Sequence, residues 1–132
     1  MMRKKGDNMK VSELVNEVNQ EQELLQLCDK LCEDLLAEHV KQFPTLDWYG
    51  YRYKVANKYI KIITTEHGED RSVWGFINKK EFQKGATGIT FKCGDVLKAN
   101  GWKTPALNAP RGNLFDGYKI HGMRKYGPDY LI

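Results

Sequence analysis

Apolar residues recur at helical spacing in the first third of the chain. Between residues 11 and 43 they lie three or four positions apart, at Val11, Leu14, Val18, Leu25, Cys28, Cys32, Leu35, His39 and Phe43. This period predicts an amphipathic helix, or two helices joined near Asn19-Gln20. Pro44 predicts the end of the helix, because a residue that precedes proline is disfavoured in the helical conformation.

Beyond Pro44 the period changes to two, which is typical of half-buried strands. In residues 48–55 three tyrosines alternate with a second face that carries Trp48, Gly50, Arg52 and Lys54. Two further runs rich in aromatic and β-branched residues follow at 59–65 and 72–77, each after a short polar turn. Short strands joined by tight turns predict an antiparallel meander.

The pattern is less definite after residue 78. Residues 79–88 are polar and contain two glycines, and they predict a loop or a short helix. Residues 89–92 and 96–99 then pair as a hairpin or run on as one bent strand. From residue 94 to residue 117 glycines and prolines interrupt the chain repeatedly, with Trp102 between them, which predicts a long ordered loop.

The fold class that follows is α+β. An N-terminal amphipathic helix or helical pair packs on a four- to five-stranded antiparallel sheet, because a sheet with one apolar face needs a cover. The chain divides into a flexible basic N-terminus at 1–10 and one domain at 11–132, with a helical arm at 11–43 and sheet and loops at 44–132. The C-terminal tail ends on apolar residues and is expected to dock on the domain.

Charge is distributed unevenly along the chain, whose formal net charge is +4. Residues 11–43 carry two Lys/Arg against eight Asp/Glu, whereas residues 44–132 carry fifteen against eight. Only the second part is expected to attract a polyanion. No apolar run approaches the roughly 20 residues that span a bilayer, and an odd number of cysteines, three, favours a reducing compartment.

Several short motifs resemble a known class of proteins. They are RSVWGFI at 71–77, GDVLK at 94–98, WKTPA at 102–106, RGNLFD at 111–116 and YGPDYL at 126–131. In this order they resemble small uncharacterised proteins encoded by tailed bacteriophages and prophages, over about residues 49–132. The resemblance implies a phage origin and a place in the host bacterial cytoplasm or the virion, without an activity.

No motif predicts catalysis, a metal site or a cofactor. Cys28, Cys32 and His39 share the apolar stripe of the helix, so core packing is the better interpretation than a zinc site, which usually needs four ligands. The groups available to an enzyme are His67, Glu69, His121 and Asp129, and nothing in their spacing brings them together. The sequence therefore predicts a non-enzymatic protein.

Basic and aromatic residues alternate in the second part of the chain, which favours a nucleic-acid-binding surface. Proteins that bind single strands combine stacking aromatic rings with a basic groove. The candidate residues are Arg52, Lys54, Tyr59, Lys61, Lys98, Trp102, Lys103 and Arg111. In the competing interpretation the tyrosines are half-buried sheet residues and the lysines only confer solubility.

The acidic helix suggests a second hypothesis, in which the partner is a protein. Its candidate contacts are Glu17, Glu21, Asp34 and Glu38, which would dock on a basic surface. The protein would then inhibit a host enzyme or an anti-phage defence complex, or form a minor component of the virion. The oligomeric state stays open in both hypotheses.

Overall fold

One helix, α1, spans Val11–Gln42 without interruption and ends two residues before Pro44. The computed structural model describes residues 11–45, 47–117, 123–124 and 127–128, and only the backbone of 11–18, 123–124 and 127–128. The sequence predicted either one helix or two, and the structure shows one. The predicted flexible basic N-terminus at 1–10 and the apolar end of the tail lie outside the described residues. No helix in the described part of the chain combines the length and apolarity that a membrane crossing needs.

Nine strands follow α1 in the described residues. They are β1 (Tyr49–Val55), β2 (Tyr59–Glu66), β3 (Glu69–Asn78), β4 (Phe82–Lys84), β5 (Ile89–Phe91), β6 (Val96–Asn100), β7 (Thr104–Pro105), β8 (Met123–Arg124) and β9 (Gly127–Pro128). The main sheet is antiparallel, in the order β1-β2-β3-β6-β7. The predicted α+β class and the meander of the first three strands are confirmed.

The turn between β2 and β3 fixes the register of those two strands. It consists of His67 and Gly68, whose φ angles of 52° and 80° are both positive. Positive φ at both central residues defines the two-residue turn that matches the twist of an antiparallel hairpin. Glu66 and Glu69 face each other across it and close the ladder.

The helix packs against one face of the main sheet and forms the larger core. Leu24, Cys28, Leu31 and Leu35 point from α1 onto Ile60, Ile62, Trp74, Ile77, Val96 and Leu114. His39 is also buried and stacks on the Tyr49 ring at 4.2 Å. Burial raises the pKa of the Cys28 thiol to about 12, so the thiol stays protonated at neutral pH. The interpretation of Cys28 and His39 as core residues is confirmed.

A β-bulge in β3 assigns two aromatic residues to opposite faces of the sheet. Ile62 pairs with Gly75 and Ile63 with Val73, so the register shifts by one residue at Trp74. Strict alternation would place Trp74 and Phe76 on the same face. Because the bulge inserts one residue, Trp74 lies in the core beneath α1 whereas Phe76 lies on the other face.

The second sheet, β4 and β5, corrects two predictions. Residues 79–88, expected to be a loop or a short helix, contribute β4, and β5 pairs with β4 and not with β6. Strand β6 pairs with β3 instead. The reason is tertiary, because Phe82, Ile89 and Phe91 pack on Phe76 and Leu97, and no local pattern reveals that burial.

A network of hydrogen bonds, which we call the clasp, orders the long segment after β6. The buried Asp95 carboxylate accepts from the Lys92 N–H (2.7 Å) and from Nδ2 of Asn113 (2.9 Å). Oδ1 of Asn113 accepts from the Phe115 N–H at 2.8 Å, which caps a short 3-10 helix at Leu114–Asp116. The clasp ties two positions that lie 18 residues apart. The segment predicted to be an ordered loop thus also contains β7 and this short helix.

Candidate nucleic-acid interface

The face of the main sheet opposite α1, here called the outer face, is covered over only part of its area. The β4–β5 hairpin packs on Phe76 and Leu97, near β6. Toward β1 the outer face carries Arg52, Lys54 and Lys61, which together we call the basic patch. Strand alternation places them here, because the tyrosines of β1 face the helix.

Lys54 and Lys61 are direct neighbours across β1 and β2. Lys54 is exposed, while Lys61 is half-buried, with its Nζ 6.0 Å from the centroid of the Phe76 ring and 5.8 Å from that of Trp102. An ammonium group near an aromatic face is held by the negative potential of the ring. Two aromatic rings thus position the Lys61 ammonium on the outer face.

Trp102 lies in the turn between β6 and β7 and is 48% exposed. A buried Trp102 would have indicated a strap that closes the core. The long segment is instead tied down by the clasp at Asp95 and Asn113. The Trp102 ring reaches Lys61 of the basic patch. Lys103, the next residue, is exposed in the same turn.

Arg52 forms a two-pronged ion pair across the sheet with Asp70 of β3. Its Nε donates to Oδ1 at 2.7 Å and its Nη2 to Oδ2 at 2.6 Å. This hydrogen bonding lowers the pKa of the Asp70 carboxyl, and the positive charge of Lys54 lowers it further. The sequence predicted Arg52 as a nucleic-acid contact and gave no indication of Asp70 as its partner. Its partnership was missed because the pair is 18 residues apart in sequence.

Replacing Arg52 with glutamine is expected to raise the pKa of Asp70 toward the ordinary aspartate value. The reason is that the guanidinium hydrogen bonds favour the charged carboxylate over the protonated one. Carbon-detected NMR titration of the Asp70 carboxyl would measure the shift. Lys54→Gln is the matched control and is expected to raise the pKa less, since Lys54 acts only by charge. An Asp70 pKa unchanged in the Arg52 variant would contradict the ion pair.

Two of the predicted contacts lie away from the basic patch. Lys98 pairs with Gly75, between Leu97 and Ala99 of the outer face, so alternation directs its side chain to the helix side. Nη1 of Arg111 donates to Oδ1 of Asn108 and to the Ala109 carbonyl, both at 2.7 Å. Burial lowers the pKa of the Arg111 guanidinium. Arg111 thus stabilises its own loop.

Tyr59 lies on the outer face but serves mainly in packing. It is half-buried and meets Phe76 edge to face, with ring centroids 6.0 Å apart. Burial raises the pKa of its hydroxyl. The structure therefore places Arg52 and Lys54 beside Lys61 on the outer face and brings the Trp102 ring to Lys61. Lys103 lies beside Trp102 in the turn, and Tyr59 supports that surface.

Among the predicted acidic contacts of α1 whose side chains are described, Glu21 lies apart from Asp34 and Glu38. Glu21 lies 3.6 Å from Nζ of Lys79, in a groove of about 770 Å³ between the helix and the start of the β3–β4 connection. Asp34 and Glu38 line a separate groove of about 610 Å³, next to Leu114 and Phe115. Asp34 also pairs with Lys30 at 2.7 Å. The side chain of Glu17 lies outside the described residues.

Of the groups considered for catalysis, the structure describes His67 and Glu69. His67 is in the turn between β2 and β3, and Glu69 begins β3, with both side chains exposed. His121 and Asp129 lie outside the described residues. Among the residues that the structure describes, no three metal-ligating side chains come together.

Comparison with known proteins gives one match. No curated protein and no solved structure matches the chain. A family model matches residues 6–125, a range that includes α1 as well as the main sheet, whereas the resemblance to phage proteins began at about residue 49. The chain therefore belongs to a family of unknown function, DUF7717.

Proposed function

We propose that this protein binds single-stranded nucleic acid on the outer face, through the basic patch and Trp102. The observation that carries the proposal is the pairing of Lys54 with Lys61, with a half-exposed indole 5.8 Å from the Lys61 Nζ. Proteins that hold single strands place cations against the phosphates and aromatic rings against the bases. Here both kinds of group share one surface.

The charge balance of the outer face supports an anionic ligand. Three cations of the basic patch stand against Asp70, the one acid on the outward face of β1 to β3, strands that are described in full. Like charges directly opposite each other destabilise a sheet. A phosphate between the Lys54 and Lys61 ammonium groups would remove that repulsion, so binding would relieve a cost present in the free protein.

The position of Trp102 favours a single strand over a duplex. Its ring is exposed at a turn and is free to stack on an unpaired base, whereas the bases of a duplex are already stacked on each other. In the described part of the chain, the outer face is a sheet surface with neither a helix nor a long hairpin arm that could enter a major groove.

Fluorescence anisotropy with a labelled oligothymidine of about 12 nucleotides tests the proposal. Micromolar binding is expected at about 50 mM salt, with a steep loss at about 200 mM, because phosphate contacts release counterions. A duplex of the same length is expected to bind more weakly. Absent or salt-independent binding of the single strand at low salt would refute the proposal.

Single substitutions connect the binding to the proposed surface. Lys61→Gln is expected to reduce the slope of log K against log salt by about 0.7, the contribution of one phosphate contact on a single strand. Trp102→Ala is expected to weaken binding by about 1–3 kcal/mol, the contribution of one stacked base. The matched control is Lys41→Gln, which removes the same charge from the exposed surface of α1. An equal effect of the Lys41 and Lys61 substitutions would show that net charge, and not this surface, binds the strand.

Asp70→Asn provides a test in the opposite direction. This substitution removes the one acid on the outward face of β1 to β3 and releases Arg52 from its ion pair. We expect tighter binding and a steeper salt slope, because the full charge of Arg52 then acts on a phosphate and is no longer shared with a carboxylate. A variant that gains affinity cannot be explained by misfolding.

The non-enzymatic accessory role, the phage origin and the place in the bacterial cytoplasm or virion stay predictions.

A further inference from the structure

A second aromatic pair stands on the outer face at the β1–β2 edge of the sheet, whereas Trp102 lies in the turn between β6 and β7 at the other edge. The Trp48 indole stacks on the His67 imidazole, with centroids 4.9 Å apart and planes inclined by 15°. The His67 N–H donates to the Trp48 carbonyl at 2.9 Å, so these residues continue the β1–β2 register by one pair. They therefore lie on the same face as Arg52 and Lys54.

The geometry of the turn keeps this pair accessible. His67 has a φ of 52°, and with Gly68 it forms the two-residue turn that projects its ring at the end of the sheet. His67 is exposed and Trp48 is half-buried. Trp48 also touches Tyr49 edge to face, with centroids 6.2 Å apart, which fixes one side of the indole and leaves the stack with His67 at the surface.

Along the outer face, aromatic and basic side chains follow one another in an order that suits an extended single strand of nucleic acid. From Trp48 to Lys54 the chain advances six residues, or about 20 Å at about 3.3 Å per residue. Arg52 lies within this span, Lys61 pairs with Lys54 at its end, and the Trp102 ring lies across the sheet beside Lys61. Gly50 carries no side chain between the aromatic pair and Arg52, and the Thr65 hydroxyl lies above it, 2.7 Å from where a Cβ atom would be.

We infer that Trp48 and His67 form a second base-stacking platform, so that the outer face takes an extended single strand with a base at each end and phosphates on the cations between. This inference rests on the proposed function and adds to it the length and course of the ligand. A site of this length requires several nucleotides, within the range of about 4–16 found for single-strand binding modules. A single nucleotide would reach only one platform.

A length series of oligothymidines, from about 2 to about 12 nucleotides, tests the inference. For the wild-type protein, affinity is expected to rise until the strand spans both platforms. Trp48→Ala and His67→Asn are expected to weaken binding of the longest strand by about tenfold while leaving the shortest strands unaffected. Asparagine tolerates the left-handed backbone of position 67, so the second variant removes the ring and preserves the turn.

Tryptophan fluorescence of the Trp102→Phe variant gives a second readout that needs no substitution at the new platform. Trp74 is 1% exposed, so quenching by added oligothymidine then reports on Trp48. Quenching by long strands and not by short ones supports the platform. If Lys61→Gln weakens binding but the Trp48 and His67 variants bind long strands like wild type, the second platform is refuted and the proposed function stands. If no oligonucleotide binds the wild-type protein, the proposed function itself fails.

Discussion

Replacing Phe91 with alanine is expected to lower the free energy of unfolding by about 3–5 kcal/mol. Phe91 is completely buried, stacks on Phe82 with ring centroids 5.0 Å apart, and packs with Phe76 and Leu97. Its removal leaves a cavity between the β4–β5 hairpin and the main sheet, and the short hairpin cannot collapse to fill it without losing its own pairing. Urea denaturation followed by circular dichroism measures the change.

Thr90→Ala is the matched control for Phe91→Ala. Thr90 is the preceding residue of the same strand and is exposed, so its truncation is expected to change stability by no more than about 0.5 kcal/mol. A loss below about 1 kcal/mol for Phe91→Ala would mean that the hairpin does not pack on the outer face. The β4–β5 hairpin would then not limit the outer face on the side of Phe76 and Leu97.

Gly94→Ala is expected to destabilise the protein by about 2–5 kcal/mol, through two separate effects. The φ of Gly94 is +88°, which costs an alanine about 1–2 kcal/mol. In addition, a Cβ atom would lie 2.6 Å from Cδ2 of Phe115 and 3.1 Å from Oδ1 of Asn113. Relief of this collision requires Phe115 to move, which disturbs the hydrogen bond that joins its N–H to Asn113 in the clasp.

Gly101→Ala separates these two effects. Gly101 has a φ of +87°, almost that of Gly94, but no atom lies within 4 Å of its Cβ position. It is therefore expected to show the backbone cost alone, and the difference between the two variants, about 1–3 kcal/mol, measures the collision in the clasp. Thermal unfolding of both variants under the same conditions gives this difference. Equal losses of stability in the two variants would show that the collision with Phe115 is relieved without destabilising the clasp.

Much of the fold was predictable because its signals are local. A single apolar stripe defines α1, and the tyrosines of β1 alternate so regularly that the helix-facing side of the strand could be assigned from sequence. The second sheet was not predictable, since β4 and β5 are three residues each and depend on contacts with Phe76 and Leu97. Strands this short carry too few residues for a period to be read.

The candidate site was only partly predictable for the same reason. Arg52, Lys54 and Lys61 follow from alternation once two adjacent strands are recognised. Lys98 was grouped with them because it is basic and close to Trp102 in sequence, but its place in the β6 register directs it to the other face. The Trp48–His67 pair was predictable from the sequence. A turn at 56–58 sets the register of β1 and β2, and in that register Trp48 lies opposite His67.

By itself, the sequence determined the α+β class, the amphipathic helix and the alternation that separates tyrosines from cations in β1. Burial of one face of a regular helix or strand makes apolar residues recur with the period of that element, and this pattern is visible in the sequence. Only the tertiary structure decided which sheet each short strand joins, that Asp70 holds Arg52, and that Trp102 reaches Lys61. These contacts join residues far apart in sequence, and they form because the β-bulge at Trp74 and the clasp at Asp95 and Asn113 fix where distant segments meet.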